Sequence, residues 1–361
     1  MEMSQLKILY AASTKSHLER FHKPYIEALR EQFEVQCMAN GEGIEHPISF
    51  QKSIFSFSNF QSIRQIRRIL KQERFDAVIL NTSLAAFLIR TAMVGMKKRP
   101  KVLNIVHGYL FFEPPQGKRD RMMLLCEKIH RRRTDEIAVM NAEDLRITEK
   151  YGLCKGKLHF INGMGIQMPK KMLVPDLALR AQYASSEGDI LLTFVGELSE
   201  RKNQIFLIRS VKRLREEGLP MRLMLVGEGS ERAALEQEIE ATGLSDAVFL
   251  TGNREPVLPY LAITDVYVSA SRSEGLPFNL MEAMSAGLPI VASDVKGQTD
   301  LFSDMPKNLY TPNDMQAFCE AVKTACKGRM GVGATSYPQL EKYTLEAVFE
   351  DNLQVMKGFL K

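Results

Sequence analysis

The chain has 361 residues, 45% of them hydrophobic, which suits two domains with a core each rather than one. No apolar run approaches the ~20 residues of a membrane span, and five cysteines without metal-ligand spacing give neither a disulfide framework nor a zinc site. The net charge of +5 is uneven, with 28 Lys+Arg against 17 Asp+Glu in residues 1–170 and 20 against 26 in the remainder. A basic first half suits an anionic membrane surface or a diphosphate-bearing acceptor; without Trp or an aromatic–basic platform, nucleic acid is the weaker partner.

The stretch MEMSQLKILYAAS leads into a strand and is not a leader, so the chain is expected in the cytoplasm. The strand, Leu6–Ser13, is followed by a helical pattern over Ser16–Gln32 with apolar positions at Leu18, Phe21, Tyr25, Ile26 and Leu29. A second strand, Glu34–Asn40, completes the start of a doubly wound α/β fold. The first turn lacks G-x-G-x-x-G, which argues against a dinucleotide oxidoreductase. A basic helix over Gln61–Gln72, a strand Phe75–Asn81 and a helix from Thr82 follow. Lys101–Tyr109 is a strand whose carboxyl end delivers His107, where open α/β sheets bind ligands; without further context a lone histidine is more often structural. The proline-rich loop Phe111–Gly117 precedes a helix over Asp120–Arg132, and strand–helix–strand patterns reach Ile166.

Residues 168–188 read as an interdomain linker, so the domains are expected at 1–168 and 169–342. Strand Asp189–Leu198 contains Gly196 and runs into Arg201 and Lys202 ahead of a helix, a phosphate site by geometry. Met221–Glu236 repeats strand, glycine turn (Gly227) and helix. Thr299–Leu309 reads as a loop, and helices over Asn313–Lys327 and Tyr343–Phe359 end the chain.

The most informative stretch is ASRSEGLPFNLMEAMSAGLPIVASDVKG. Two short buried-strand patterns flank a helix that begins at Pro277 and stops at Gly287. Unpaired N–H groups at Phe278, Asn279 and Leu280 suit a phosphate. Glu274 and Glu282 stand on either side, and carboxylates accept hydrogen bonds from hydroxyls. A ligand with a charged middle and hydroxylated ends fits: a nucleotide diphosphate sugar.

Glu274-Gly-Leu-Pro-Phe-Asn-Leu-Met-Glu282, followed by Gly287-Leu-Pro-Ile-Val-Ala-Ser, resembles the E-x7-E signature of retaining glycosyltransferases of family 4. The resemblance implies the GT-B fold, two Rossmann-like domains facing a cleft, with a last helix (about 343–361) that crosses back to the first domain. It implies hexosyl transfer without a metal or resident cofactor. The first Glu and His107 would contact the donor sugar and Glu282 the ribose. Arg201, Lys202, Gly196, Gly227 and the segment Gly275, Leu276, Pro277, Phe278, Asn279 and Leu280 would receive the rest of the donor, with Asn253 and Arg254 at the base. The family's acceptor-side glycine loop is replaced here by Ser13, Thr14 and Lys15, with His17 and Phe21 beyond, although Phe21 also fits a packed helix face. Glu197 stands where many members have Arg. The segments HGY, INGMGI and GELSERKN resemble bacterial exopolysaccharide and capsule enzymes, which implies a UDP-sugar donor and a saccharide or lipid-diphosphate-linked acceptor at the cytoplasmic membrane face. The other readings are a nucleotide-sugar epimerase or hydrolase on the same fold and a non-catalytic sugar-nucleotide binder.

Overall fold

The computed structural model describes residues 5–51, 56–184, 186–328 and 330–361. Residues 1–4, at the head of the stretch leading into the first strand, and Ser185, in the expected linker, lie outside them. The chain forms two compact units, Met1–Gly165 with Leu345–Lys361, and Ile166–Thr344. The division thus falls three residues before the expected 168/169 boundary.

The first unit holds strands β1 (Lys7–Thr14), β2 (Glu34–Asn40), β3 (His46–Pro47), β4 (Ala77–Leu80), β5 (Lys101–Val106), β6 (Glu136–Val139) and β7 (Leu158–Phe160). They pair in the order β3-β2-β1-β4-β5-β6-β7, all parallel. Parallel sheets are covered on both faces, and β4 is buried along its whole length. The chain leaves β1 toward β2 on one side and resumes with β4 on the other, so the order reverses between β1 and β4. Ligands of open α/β sheets bind beyond the strand ends at such a point.

The second unit repeats the plan with β8 (Ile190–Val195), β9 (Met221–Val226), β10 (Val248–Gly252), β11 (Val266–Ser269), β12 (Ile290–Ser293) and β13 (Leu309–Tyr310). Its order is β10-β9-β8-β11-β12-β13, again parallel, with the reversal between β8 and β11. The expectation of a loop over Thr299–Leu309 is corrected. A short helix (Gln298–Leu301), a 3-10 turn (Pro306–Asn308) and the start of β13 occupy it. Two-residue strands such as β3 and β13 are too short to show a period.

Arg90, which interrupts the apolar run Leu84–Met96, is fully buried and makes paired 2.9 Å bonds to Glu127. The expected helix over Ser16–Gln32 is not uniform: α-helical turns at Lys15–His17 and Lys23–Arg30 enclose a π-helical segment, Leu18–His22. Pro24 gives the reason, since proline cannot donate to the carbonyl four residues back and its ring crowds that carbonyl. A wider turn relieves the clash. The terminal helix, Leu345–Leu360, belongs to this unit; Asn352 donates to the Tyr25 hydroxyl (3.0 Å) and the Gly163 carbonyl (2.8 Å).

Candidate functional site

In the second unit the loops after β8 and β11, the two strands at the reversal, are tied together. The Arg272 N–H donates to the Arg201 carbonyl (2.8 Å), and the Arg201 guanidinium donates to the Ser273 carbonyl (2.8 Å). Asn203, in the left-handed region at φ 57°, turns the chain from the two cations into helix Gln204–Glu216. Asparagine tolerates that conformation better than most residues. The base of the β8 loop is set by glycine: a Cβ at Gly227 would lie 2.0 Å from the Gly196 carbonyl oxygen. That contact lets the Gly196 N–H reach the Val226 carbonyl at 2.9 Å.

The loops bring Arg201, Lys202 and Glu274 into one ion triad. Lys202 donates to one Glu274 oxygen at 2.5 Å and Arg201 to the other at 2.8 Å. Glu274 and Lys202 are only 6% and 7% exposed. Burial alone would raise the Glu274 carboxyl, but the Lys202 and Arg201 charges outweigh it and hold the group at about 2. Burial pushes the Lys202 ammonium below its usual range, with Glu274 pulling the other way. Glu197 adds a second, weaker carboxylate influence on Lys202. Two cations and two carboxylates therefore balance, and the cations are already turned toward an anionic oxygen pair. An arrangement of this kind can exchange one set of anionic oxygens for another, those of a phosphate included.

Helix Phe278–Ser285 starts beside this triad, with Pro277 as its N-cap residue. The Asn279 side chain donates to the Val195 carbonyl, which pins the first turn to the end of β8. The expectation of three available N–H donors is corrected, because the Leu280 N–H already bonds the Pro277 carbonyl at 3.1 Å. Glu282 is half-buried one turn on. Burial raises the Tyr267 hydroxyl well above its usual range, and the charges of Glu282 and Glu274 both add to this, so the two carboxylates share one environment. Gly275 and Leu276 lie between: a Cβ at Gly297 would come 2.3 Å from the Gly275 carbonyl oxygen. Lys296, the residue before Gly297 in this loop, is 7% exposed. Sequence reasoning missed Lys296; its one signal is a lysine next to a glycine after a buried strand. Asn253 and Arg254 are exposed beyond β10, two strands from the reversal, with the Arg254 guanidinium 5.7 Å from the Tyr260 ring centre.

In the first unit the expected residues also gather at the reversal, after β1, β4 and β5. Ser13 bonds the Thr82 hydroxyl through its N–H (2.9 Å) and its hydroxyl (2.7 Å). Thr14 caps the helix turn by accepting from the His17 N–H at 3.3 Å. Lys15 donates to the Glu42 carbonyl at 3.0 Å and pairs with Glu19. His17 and His107 meet edge to face, ring centres 4.8 Å apart, and the buried His22, absent from the expected set, contacts both. Burial holds all three imidazoles neutral, His17 at about 4 and the others well below their usual value.

Residues 7–141 match the family model described as Glycosyl transferase 4-like, and residues 176–343 that described as Glycosyl transferases group 1. The chain is 28% identical to the EpsD protein of Bacillus subtilis over 82% of this chain and 81% of that one. It is 24% identical to an Escherichia coli protein named UDP-Gal:alpha-D-GlcNAc-diphosphoundecaprenol alpha-1,3-galactosyltransferase, over 75% and 71% of the two chains. Among solved structures, Anabaena HepE, in complex with UDP and glucose, superposes with a TM-score of 0.76 at 17% identity over 98% of this chain and 100% of that one. Sucrose-phosphate synthase from Thermosynechococcus elongatus gives 0.72 at 18% identity over 99% and 98%. These likenesses show the GT-B fold.

Proposed function

The chain belongs to the glycosyltransferases, of the group 1 and 4-like type with the GT-B fold, and from that premise we propose that it transfers a sugar from a UDP-sugar, with retention of configuration, in cell-surface polysaccharide synthesis. The observation that carries the reading is the triad of Arg201, Lys202 and Glu274 at the β8/β11 reversal. The two cations and the start of helix Phe278–Ser285 would receive the diphosphate, and they would offset the charge that develops on it as the glycosidic bond breaks. Once the diphosphate takes over the cations, Glu274 is left to accept hydrogen bonds from sugar hydroxyls. Glu282 would hold the ribose, and Asn253 and Arg254 the base. His107 would orient the sugar, and Ser13, Thr14, Lys15 and His17 would form the acceptor side. The leaving phosphate would accept the proton of the acceptor hydroxyl in a front-face attack. Side chains and helix N–H groups would supply the positive charge at the diphosphate that a metal supplies elsewhere.

The acceptor we propose is a saccharide, lipid-diphosphate-linked, presented at the cytoplasmic membrane face. The E. coli relative's name includes such a diphosphoundecaprenol acceptor. Helix Lys118–His130 supports contact with an anionic bilayer, because Met122, Leu125 and Ile129 are exposed on one side of it among Arg119, Arg121 and Lys128. Among the described residues no helix is long and apolar enough to cross a membrane. The test is UDP release from a panel of UDP-sugars with and without a lipid-linked acceptor, with the anomeric configuration of the product read by NMR. Acceptor-dependent release and an unchanged anomer are expected. Release that ignores the acceptor would favour a hydrolase, and an inverted product would remove the front-face route.

A further inference from the structure

We infer that His17, His22 and His107 form a divalent-metal site of zinc type in the first unit, one that goes beyond the transfer reading and is complete without a donor. Each of the three offers a ring nitrogen, and these atoms lie within 4.8 Å of one another. The His17 and His22 Nε2 atoms are 3.3 Å apart. Zinc holds imidazole nitrogens at about 2.0–2.1 Å in a tetrahedron, so two ligands of one ion stand roughly 3.3 Å apart. The His107 Nε2 is enclosed and has no hydrogen-bond partner among the described residues. A buried polar atom in that state bears its desolvation penalty uncompensated, which a metal bond would remove.

The backbone is shaped for this meeting. In an α-helix, residues five apart point roughly 140° away from each other around the axis, so His17 and His22 could not converge. The π-helical turn Leu18–His22 bonds each residue to the fifth one on and brings both rings to one side. His107 arrives from the end of β5, where the next residue, Gly108, has a φ of 114°. One outer partner is also in place: the Tyr10 hydroxyl lies 3.0 Å from His22 Nδ1. When the distal nitrogen of a ligand histidine donates to such a partner, the other nitrogen is left with its lone pair toward the metal.

Three nitrogen ligands leave a fourth position open, as in zinc sites that take up water or a substrate oxygen. The class of occupant is a hydroxyl or phosphate oxygen. Loaded in this way, His107 would act on a ligand through the ion and not by direct contact. The set also fits cobalt, nickel and copper, which favour imidazole as zinc does. This revises the metal-free expectation for the first unit and leaves the triad of the second unit unchanged.

The full chain, stripped with a chelator and dialysed against Zn2+, should hold close to one ion per chain by elemental analysis. Co2+ loading should give the intense visible bands of a tetrahedral site. His22→Asn and the less buried His17→Asn should each weaken Zn2+ binding at least tenfold. Tyr10→Phe, which keeps all three ligands, should weaken it about tenfold, and His46→Asn should leave it unchanged. Circular dichroism establishes that each variant is folded. A wild-type protein that holds no Zn2+, an octahedral Co2+ spectrum, or a folded His17→Asn/His22→Asn double variant that still holds one ion would each overturn the inference.

Discussion

The two units share one sheet plan and use its reversal point differently. Between β8 and β11 the second unit places charged groups, the exposed Arg201 and the enclosed Lys202 against the enclosed Glu274, whose carboxyl is held at about 2. Between β1 and β4 the first unit places neutral groups, the hydroxyls of Ser13 and Thr82 and three imidazoles that burial keeps unprotonated. One topology thus supplies two crevices, and the chemistry of each is written in the loops after the strands. The charged crevice suits a phosphate, and the neutral one suits a hydroxyl or a metal ion.

The largest way to break this contrast is Lys202→Ala. It removes the more enclosed cation and leaves Glu274 to Arg201 alone, and steady-state transfer should fall by on the order of 10²–10³-fold. An activity within a few fold of the parent would take Lys202 out of the site. A sharper probe is acid stability. Glu274 is held at about 2, below the ordinary 4.5, so its contribution is complete above 4.5 and is lost as pH falls toward 2. Urea titrations of Glu274→Gln should show a flatter pH dependence than the parent across that window, the difference amounting to roughly 3 kcal/mol. Parallel curves would mean that the triad does not hold the carboxylate as described. The smallest effect concerns the floor beneath the charges. Gly227→Ala puts a methyl group where the Gly196 carbonyl sits, at a φ of 148°. It should cost about 1–3 kcal/mol in thermal unfolding and raise the KM for donor more than it lowers kcat.

Much of this was legible in the chain. Alternation of apolar strands and periodic helices gave both sheets because parallel strands are buried on both faces and stand out as runs. Arg201, Lys202 and Glu274 could be grouped because each follows a strand at a glycine-marked loop, and topology brings such loops together. What stayed hidden depends on local backbone events. The pairing of His17 with His22 requires a π turn, and the only trace of it is Pro24 inside an otherwise regular helical pattern. The Leu280 N–H looked available because the first turn of a helix leaves donors unpaired, yet the Pro277 carbonyl takes it. Lys296 is buried beside Gly297, whose close approach to Gly275 is a tertiary contact with no sequence period.

The central claim is that Arg201 and Lys202 are a diphosphate grip, and UDP affinity measures it most directly. Calorimetric titration of UDP into the parent and into Arg201→Ala/Lys202→Ala should show a loss on the order of 100-fold or more, with the parent's affinity falling as salt rises. Equal affinity in the two proteins would contradict the account.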